Sequence, residues 1–155
     1  MKYSELRLMS VPASERKFLL PYLLMADSSE DEVHRYLFDG EMFSISYENK
    51  TAGVILFTFP EKGEAEVRNM ALDPAYRGKG IGKRILHVSM EQFKKRGLQR
   101  MIVGTANSSL ENIAFYQKAG FRMFSVKKNY FSGYSGEIYE NGIRTLDMLM
   151  FEKEL

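Results

Sequence analysis

The residues best equipped for chemistry lie together in Arg77-Gly78-Lys79-Gly80-Ile81-Gly82-Lys83, three glycines interleaved with three cations. Glycine lets a backbone approach a ligand closely. A helix opening at this point would add unpaired N–H groups and the positive end of its dipole. Together these suit an anion of high charge density, and a diphosphate above all. The spacing departs from a Walker A loop, which needs four residues between its first glycine and Gly-Lys-Ser/Thr. It also departs from a dinucleotide fingerprint, which needs Gly or Ala where Lys83 stands. The rival reading is a plain glycine-rich turn at a helix entry whose cations are merely solvated.

The elements around this turn decide what it can do. A strand, Ala65 to Leu72, precedes it, and an amphipathic helix from about Gly80 to Lys95 follows, with Ile81, Ile85, Val88 and Phe93 as its apolar stripe and Gly97 as its stop. Upstream, residues 3 to 9 suit a first strand, and Pro12 to Ala26 carry a helical apolar pattern that Pro21 interrupts. The run 28–40 reads as a second helix with a capping serine, first-turn acids and a stop at Gly40. Residues 41 to 59 alternate as an antiparallel hairpin that turns at Asn49-Lys50. Downstream come a buried strand (98–106), a short helix (109–120), a strand (121–128) and a last strand (145–153). A tyrosine-rich excursion with a tight turn at Asn141-Gly142 separates the last two. The order is β-α-α-β-β-β-α-β-α-β-β, an α/β chain with an α+β opening.

Composition narrows the function classes. The chain has 155 residues, 45% hydrophobic and 27% charged, which suits one domain spanning 1–155. A net charge of +2, spread along the chain, argues against a nucleic-acid partner. With no cysteine there is no disulfide, thiolate metal site or thiol nucleophile, and the isolated His34 and His87 lack ligand spacing, so no metal is expected. The charged N-terminal stretch and the lack of ~20 consecutive apolar residues predict a cytoplasmic protein that does not enter membranes.

The segment ALDPAYRGKGIGKRIL resembles the acyl-CoA-binding segment of the GNAT superfamily of N-acetyltransferases, whose Arg/Gln-x-x-Gly-x-Gly/Ala signature falls on Arg77, Gly80 and Gly82. A second element, NIAFYQKAGF (112–121), resembles the family helix ending in Tyr-x-Lys-x-Gly-Phe. The closing ENGIRTLDM is similar to bacterial members related to aminoglycoside-type acetyltransferases. The resemblance implies a GNAT fold with a mixed central sheet of six to seven strands and helices on both faces. It implies acetyl-CoA as co-substrate, held by Arg77, Gly78, Lys79, Gly80, Ile81, Gly82 and Lys83 at its pyrophosphate and by the bulged strand's Met70, Ala71 and Leu72 along its pantetheine arm. Asn107 and Asn112 would hold the amide arm or adenylate side. The chain departs from the family pattern near Asn107-Ser108-Ser109, where two residues are added before the helix.

In the family a tyrosine protonates the departing thiolate, and Tyr116 stands at that position; on pattern alone it would be a packed helix aromatic. Glu66 is the candidate base for the attacking amine, with a solvent-facing strand glutamate as the competing reading, because its face depends on where the bulge lies. The acids Glu30, Asp31, Glu32, Glu137 and Glu140, with Tyr130, Tyr134 and Tyr139, point to a small cationic amine as acceptor; first-turn acids also serve simply as dipole caps. A protein N-terminus or lysine is the alternative acceptor, and an acyl-CoA sensor without catalysis the alternative function. The resemblance also admits a homodimer, whose contacts depend on surface shape.

Overall fold

A computed structural model describes residues 5–134 and 136–155. Seven strands form one sheet in the order β1-β2-β3-β4-β5-β9-β6: β1 (Leu6–Ser10), β2 (Glu41–Tyr47), β3 (Lys50–Thr58), β4 (Glu64–Leu72), β5 (Arg100–Ala106), β9 (Met148–Glu154) and β6 (Arg122–Lys127). Every neighbouring pair is antiparallel except β4 and β5. Tyr3 and Ser4, where the first strand was expected to begin, lie outside the described residues. A small hairpin, β7 (Tyr139–Glu140) and β8 (Ile143–Arg144), stands apart from the sheet. Its turn is Asn141-Gly142, both with positive φ (54° and 73°), as the sequence predicts.

Pro21 divides the first helical stretch. A 3-10 helix runs from Ala13 to Leu19, and α1 (Leu20–Ala26) then starts with the proline in its first turn, where a missing N–H costs nothing. Helix α2 (Glu30–Tyr36) is capped by Ser29, whose hydroxyl accepts from Glu32 N at 3.2 Å. Helices α3 (Ile81–Lys95) and α4 (Leu110–Lys118) cover the opposite face. The core is accordingly double. Phe57, Val67, Ile85, Met101 and Phe151 pack with α3 and α4, whereas Val54, Leu56 and Ala71 pack with Leu23 and Val33 of α1 and α2. Among the described residues no helix is long and apolar enough to cross a membrane.

Three local expectations need correction. The hairpin between β2 and β3 turns at Glu48-Asn49 (φ 51° and 65°), one residue earlier than expected, because β3 carries an extra residue opposite Ile45/Ser46 and begins at Lys50. Val88 is 40% exposed; the inward position one residue on belongs to Ser89, whose hydroxyl donates to Ile85 O at 2.7 Å. The last strand starts at Met148, not Thr145, since the backbone N–H groups of Leu146 and Asp147 donate to Asn107 Oδ1.

Arg16, 7% exposed, ties the 3-10 helix before α1 to the connection between α2 and β2 by donating to the carbonyls of Leu37, Asp39 and Gly40 at 3.0, 2.6 and 2.8 Å. Arg16→Leu should destabilise the fold by about 2–4 kcal/mol, because it strips donors from three carbonyls at once. Urea unfolding would read this as a lower midpoint at unchanged slope, and an unmoved midpoint would show that water replaces the guanidinium freely.

Candidate active site

The parallel pairing of β4 with β5 runs from Glu64↔Arg100 to Val67↔Val103 and stops there, although both strands continue, to Leu72 and Ala106. The cause lies in β4. Against β3, Leu56 pairs with Asn69 but Phe57 with Val67, so Arg68 is an extra, unpaired residue. Such a bulge sharpens the local twist and ends the ladder. Beyond it the two strands bound a cavity of about 180 Å³, lined by residues 66–70 of β4 and 103–106 of β5.

The bulge also inverts the side-chain alternation. Val67 packs with α3 and α4, but Ala71 packs with α1 and α2, and Asn69 bonds to Leu23 O and Tyr36 on that second side. Glu66, next to Val67, therefore faces the side of α1 and α2, where it lines the cavity and accepts from Thr58 Oγ1 at 3.4 Å. This resolves the face left open by strand alternation.

A second space, a groove of about 930 Å³, runs past Met70, Ala71 and Leu72 to the turn, where Arg77, Gly78, Gly80, Ile81, Gly82 and Lys83 line it. The groove and the cavity share Ala26, Met70, Ser109, Asn112 and Glu140, so they meet beside the bulge. Gly78 and Gly80 both have φ 75°, a left-handed conformation that an L side chain disfavours. Gly82 answers a different need: a Cβ there would lie 3.2 Å from the Phe115 ring. Among the described residues, the N–H groups of 78 to 83 donate to no protein acceptor; the first bond of α3 is Arg84 N to Gly80 O. The turn thus presents unpaired donors and the start of a 15-residue helix to the groove, the demands of a bound diphosphate. Arg77 is braced by donating from Nε to Leu72 O at 3.1 Å, while Lys79 is exposed, over the Tyr76 ring at 5.8 Å, and does not line the groove. Lys118 of α4 adds a further cation to the lining of the groove.

Tyr116, 7% exposed, reaches the cavity from α4 out of a cluster of rings, with Phe115, Phe121 and Phe151 at centroid distances of 5.1, 5.8 and 6.2 Å. Among the described residues its hydroxyl has no hydrogen-bond partner, and burial pushes the phenol up to about 12. It is a neutral donor awaiting an acceptor. Asn112 lines both spaces.

Asn107 is not brought to either space. Its amide donates to Arg144 O at 3.1 Å and accepts from Leu146 N and Asp147 N, so its hydrogen-bonding capacity goes to holding the segment before β9. The two added residues act likewise: Ser109 Oγ donates to Glu140 at 2.8 Å, and Ser108 shares a hydrogen bond with Thr145. They clamp the β7–β8 hairpin onto the N-terminus of α4 and bring Glu140 to the junction of groove and cavity.

Sequence reading overlooked Asp27 and Asn69, which line the cavity. Asn69 carried a usable signal, a poor strand former in the middle of a strand. Asp27 carried none, being one polar residue in a helix connection. Of the expected acceptor-side acids, Glu30, Asp31 and Glu32 line a third space of about 640 Å³ that adjoins the cavity, sharing Ser28, Tyr130, Tyr134 and Ile138 with it, and Glu137 and Tyr139 line none of the three spaces.

Residues 12–121 match the model of the Acetyltransferase (GNAT) family. The uncharacterized N-acetyltransferase YvbK of Bacillus subtilis is 34% identical over 138 residues, covering 88% of this chain and 89% of that protein. Among solved structures, an IAA acetyltransferase from Bacillus cereus ATCC 14579 is 36% identical with a TM-score of 0.86, over 97% of this chain and 99% of that one. A GNAT family acetyltransferase from Elizabethkingia anophelis, solved with acetyl-CoA bound, is 30% identical with a TM-score of 0.90, over the same shares.

Proposed function

The chain belongs to the GNAT acetyltransferase family, and from that membership we propose that it transfers the acetyl group of acetyl-CoA to the primary amine of a small, cationic acceptor. The observation that carries this reading is the meeting of two spaces at Met70 and Asn112: a groove ending on unpaired backbone donors, and a cavity whose charged lining is Asp27, Glu66 and Glu140 against Arg68 alone. An excess of carboxylates favours a cationic occupant. The Elizabethkingia anophelis neighbour with acetyl-CoA bound supports the groove's assignment.

Acetyl-CoA supplies the thioester: the acceptor nitrogen bonds to its carbonyl carbon, the C–S bond breaks, and the sulfur leaves as a thiolate that takes up a proton. The N–H groups of 78 to 83 hold the pyrophosphate, with Arg77 and Lys83 adding full charge. Past the bulge, β4 has no strand partner on its β5 side among the described residues, which leaves the backbone groups of Met70 and the N–H of Leu72 for the pantetheine amides and the carbonyl oxygen, whereas Ala71 turns its carbonyl toward Gly53 of β3 and contributes its small side chain. Tyr116 donates toward the sulfur, and Asn112 steadies the arm at the junction. Glu66 takes the ammonium proton, directly or through water.

Glu66→Gln should lower kcat/KM for the acceptor by about 10²-fold near neutral pH. The deficit should shrink as pH rises and the free amine deprotonates unaided. A pH profile identical in shape to that of the unaltered protein would remove the base role. The reading as a whole is tested by following free thiol with acetyl-CoA and a panel of alkylamines, polyamines, aminoglycosides and peptides with free N-termini. Release with small cationic amines supports it. Release with peptides alone would make the protein a protein acetyltransferase, and binding without release would make it an acyl-CoA sensor.

A further inference from the structure

The wall of the cavity opposite β5 is built from a hydrogen-bonded chain that ends on a carboxylate. Asn69 donates from Nδ2 to Leu23 O and to the Tyr36 hydroxyl, both at 2.9 Å, and Tyr36 donates in turn to Asp27 Oδ2 at 3.1 Å. Asp27 Oδ1 accepts from Ser29 N at 3.1 Å. Its one further donor comes from elsewhere in the chain: the Tyr134 hydroxyl, at 3.3 Å, from the turn after β6. Among the described residues no lysine, arginine or histidine pairs with Asp27. Arg68, the cation on the same wall, lies instead over the Tyr36 ring at 4.3 Å and reaches Glu32 at 4.0 Å.

The same wall contains a second acceptor in want of a donor. Asn69 is 5% exposed, and its Oδ1 is buried without a partner among the described residues. The amide cannot turn over to satisfy it, because Oδ1 would then face the Leu23 carbonyl that Nδ2 now serves. A buried acceptor left unmet costs about 1–3 kcal/mol, so its retention asks for a reason. Asp27 offers acceptor capacity with no cation paired to it, the complement of an alkylammonium with three N–H donors on one charge, and Asn69 secures it through the Tyr36 hydroxyl.

We propose that Asp27 is the residue that selects a cationic acceptor, and that the Tyr134 hydroxyl is the latch an ammonium group must displace to reach it. The inference rests on the reading of this cavity as the acceptor site. Tyr36 and Asn69 are positioning residues that hold the carboxylate toward the cavity. Tyr130 and Phe131, whose rings pack at 5.0 Å, with Phe131 against Tyr134 at 5.1 Å, make the latch part of one aromatic turn. Burial and the neighbouring Asp27 charge both raise the Tyr134 phenol above its ordinary value, so it remains a donor while it covers the carboxylate.

Two substitutions should move affinity in opposite directions. In the CoA-loaded full chain, n-hexylammonium chloride and the uncharged n-hexanol are titrated calorimetrically. Asp27→Asn should weaken hexylammonium at least tenfold and leave hexanol and CoA unchanged. Tyr134→Phe should tighten hexylammonium about threefold, since the competing hydroxyl is gone and the carboxylate stays. Equal losses of amine and alcohol on Asp27→Asn, weaker amine binding on Tyr134→Phe, or no hexylammonium binding by the unaltered protein would each overturn the proposal. Thiol release with acetyl-CoA separates the two readings: Asp27-dependent binding without acetyl transfer faults the enzymatic function alone, whereas transfer with Asp27-independent binding faults this inference alone.

Discussion

Gly80→Glu is expected to abolish measurable acetyl-CoA binding, a loss of about 10³-fold or more. Gly80 caps α3 with φ 75°, and an L side chain in that conformation costs about 1–2 kcal/mol. The larger effect is electrostatic. A carboxylate placed among the unpaired N–H groups of 78 to 83 repels a diphosphate by about 4 kcal/mol at ~4 Å under an effective dielectric of ~20. Beyond that local strain, a Cβ on Gly80 meets no atom of the rest of the protein within 4 Å. Gly80→Ala is therefore the informative control. It bears the strain without the charge and should lose about tenfold in affinity as the turn relaxes, together with about 2–8 °C in melting temperature. Calorimetric titration of both variants checks the pair, and affinity surviving the glutamate would remove the turn from the cofactor site.

Tyr116→Phe should lower kcat by about 10²- to 10³-fold while leaving acetyl-CoA affinity within twofold. The hydroxyl is the one part of the side chain removed, and the packing against Phe115, Phe121 and Phe151 persists. Because that hydroxyl has no partner among the described residues, its removal should leave the melting temperature unchanged or slightly raised. A residue kept for packing would show the opposite pattern, rate intact and stability lost. The pH dependence carries a further constraint. With the phenol pushed up to about 12 from an ordinary 10.0, it stays protonated throughout the working range. The rate deficit should therefore be uniform between roughly pH 6 and 9, with no limb gained or lost. The role proposed for Tyr116 is accordingly to donate to the departing sulfur as a protonated phenol, the proton released by the amine restoring the balance. An unchanged kcat would eliminate Tyr116 from the mechanism.

The contrast between Asn107 and Asn112 shows where a family motif stops being informative. Both stand near the start of the helix that carries Tyr116, and both were expected at the cofactor. Asn112 sits one turn inside α4 and lines groove and cavity. Asn107 is drawn off by the backbone of 144 to 147, a partner roughly 40 residues away. Nothing in the local pattern distinguishes an amide that will meet a ligand from one that will meet a returning loop. Glu140 is the reverse case, an acid named for its composition alone and carried to the junction of the two spaces by Ser108 and Ser109, residues that looked like a mere lengthening.

What the amino-acid sequence determined by itself was everything carried by short-range chemistry. The order of strands and helices follows from apolar periodicity, the Pro21 break from a missing N–H, the α2 cap from Ser29, and the left-handed turn before α3 from its glycines. Tertiary structure decided which faces meet. Arg68 is the bulged residue only because Phe57 pairs with Val67 and Leu56 with Asn69, and that single insertion parts β4 from β5, opens the cavity and turns Glu66 toward α1 and α2. The Asp27, Tyr36 and Asn69 chain, closed by Tyr134, joins four segments whose members lie up to 107 residues apart. Such contacts depend on register and on loop return, which are set by the sum of packing over the whole sheet and leave no mark on neighbouring residues in the chain.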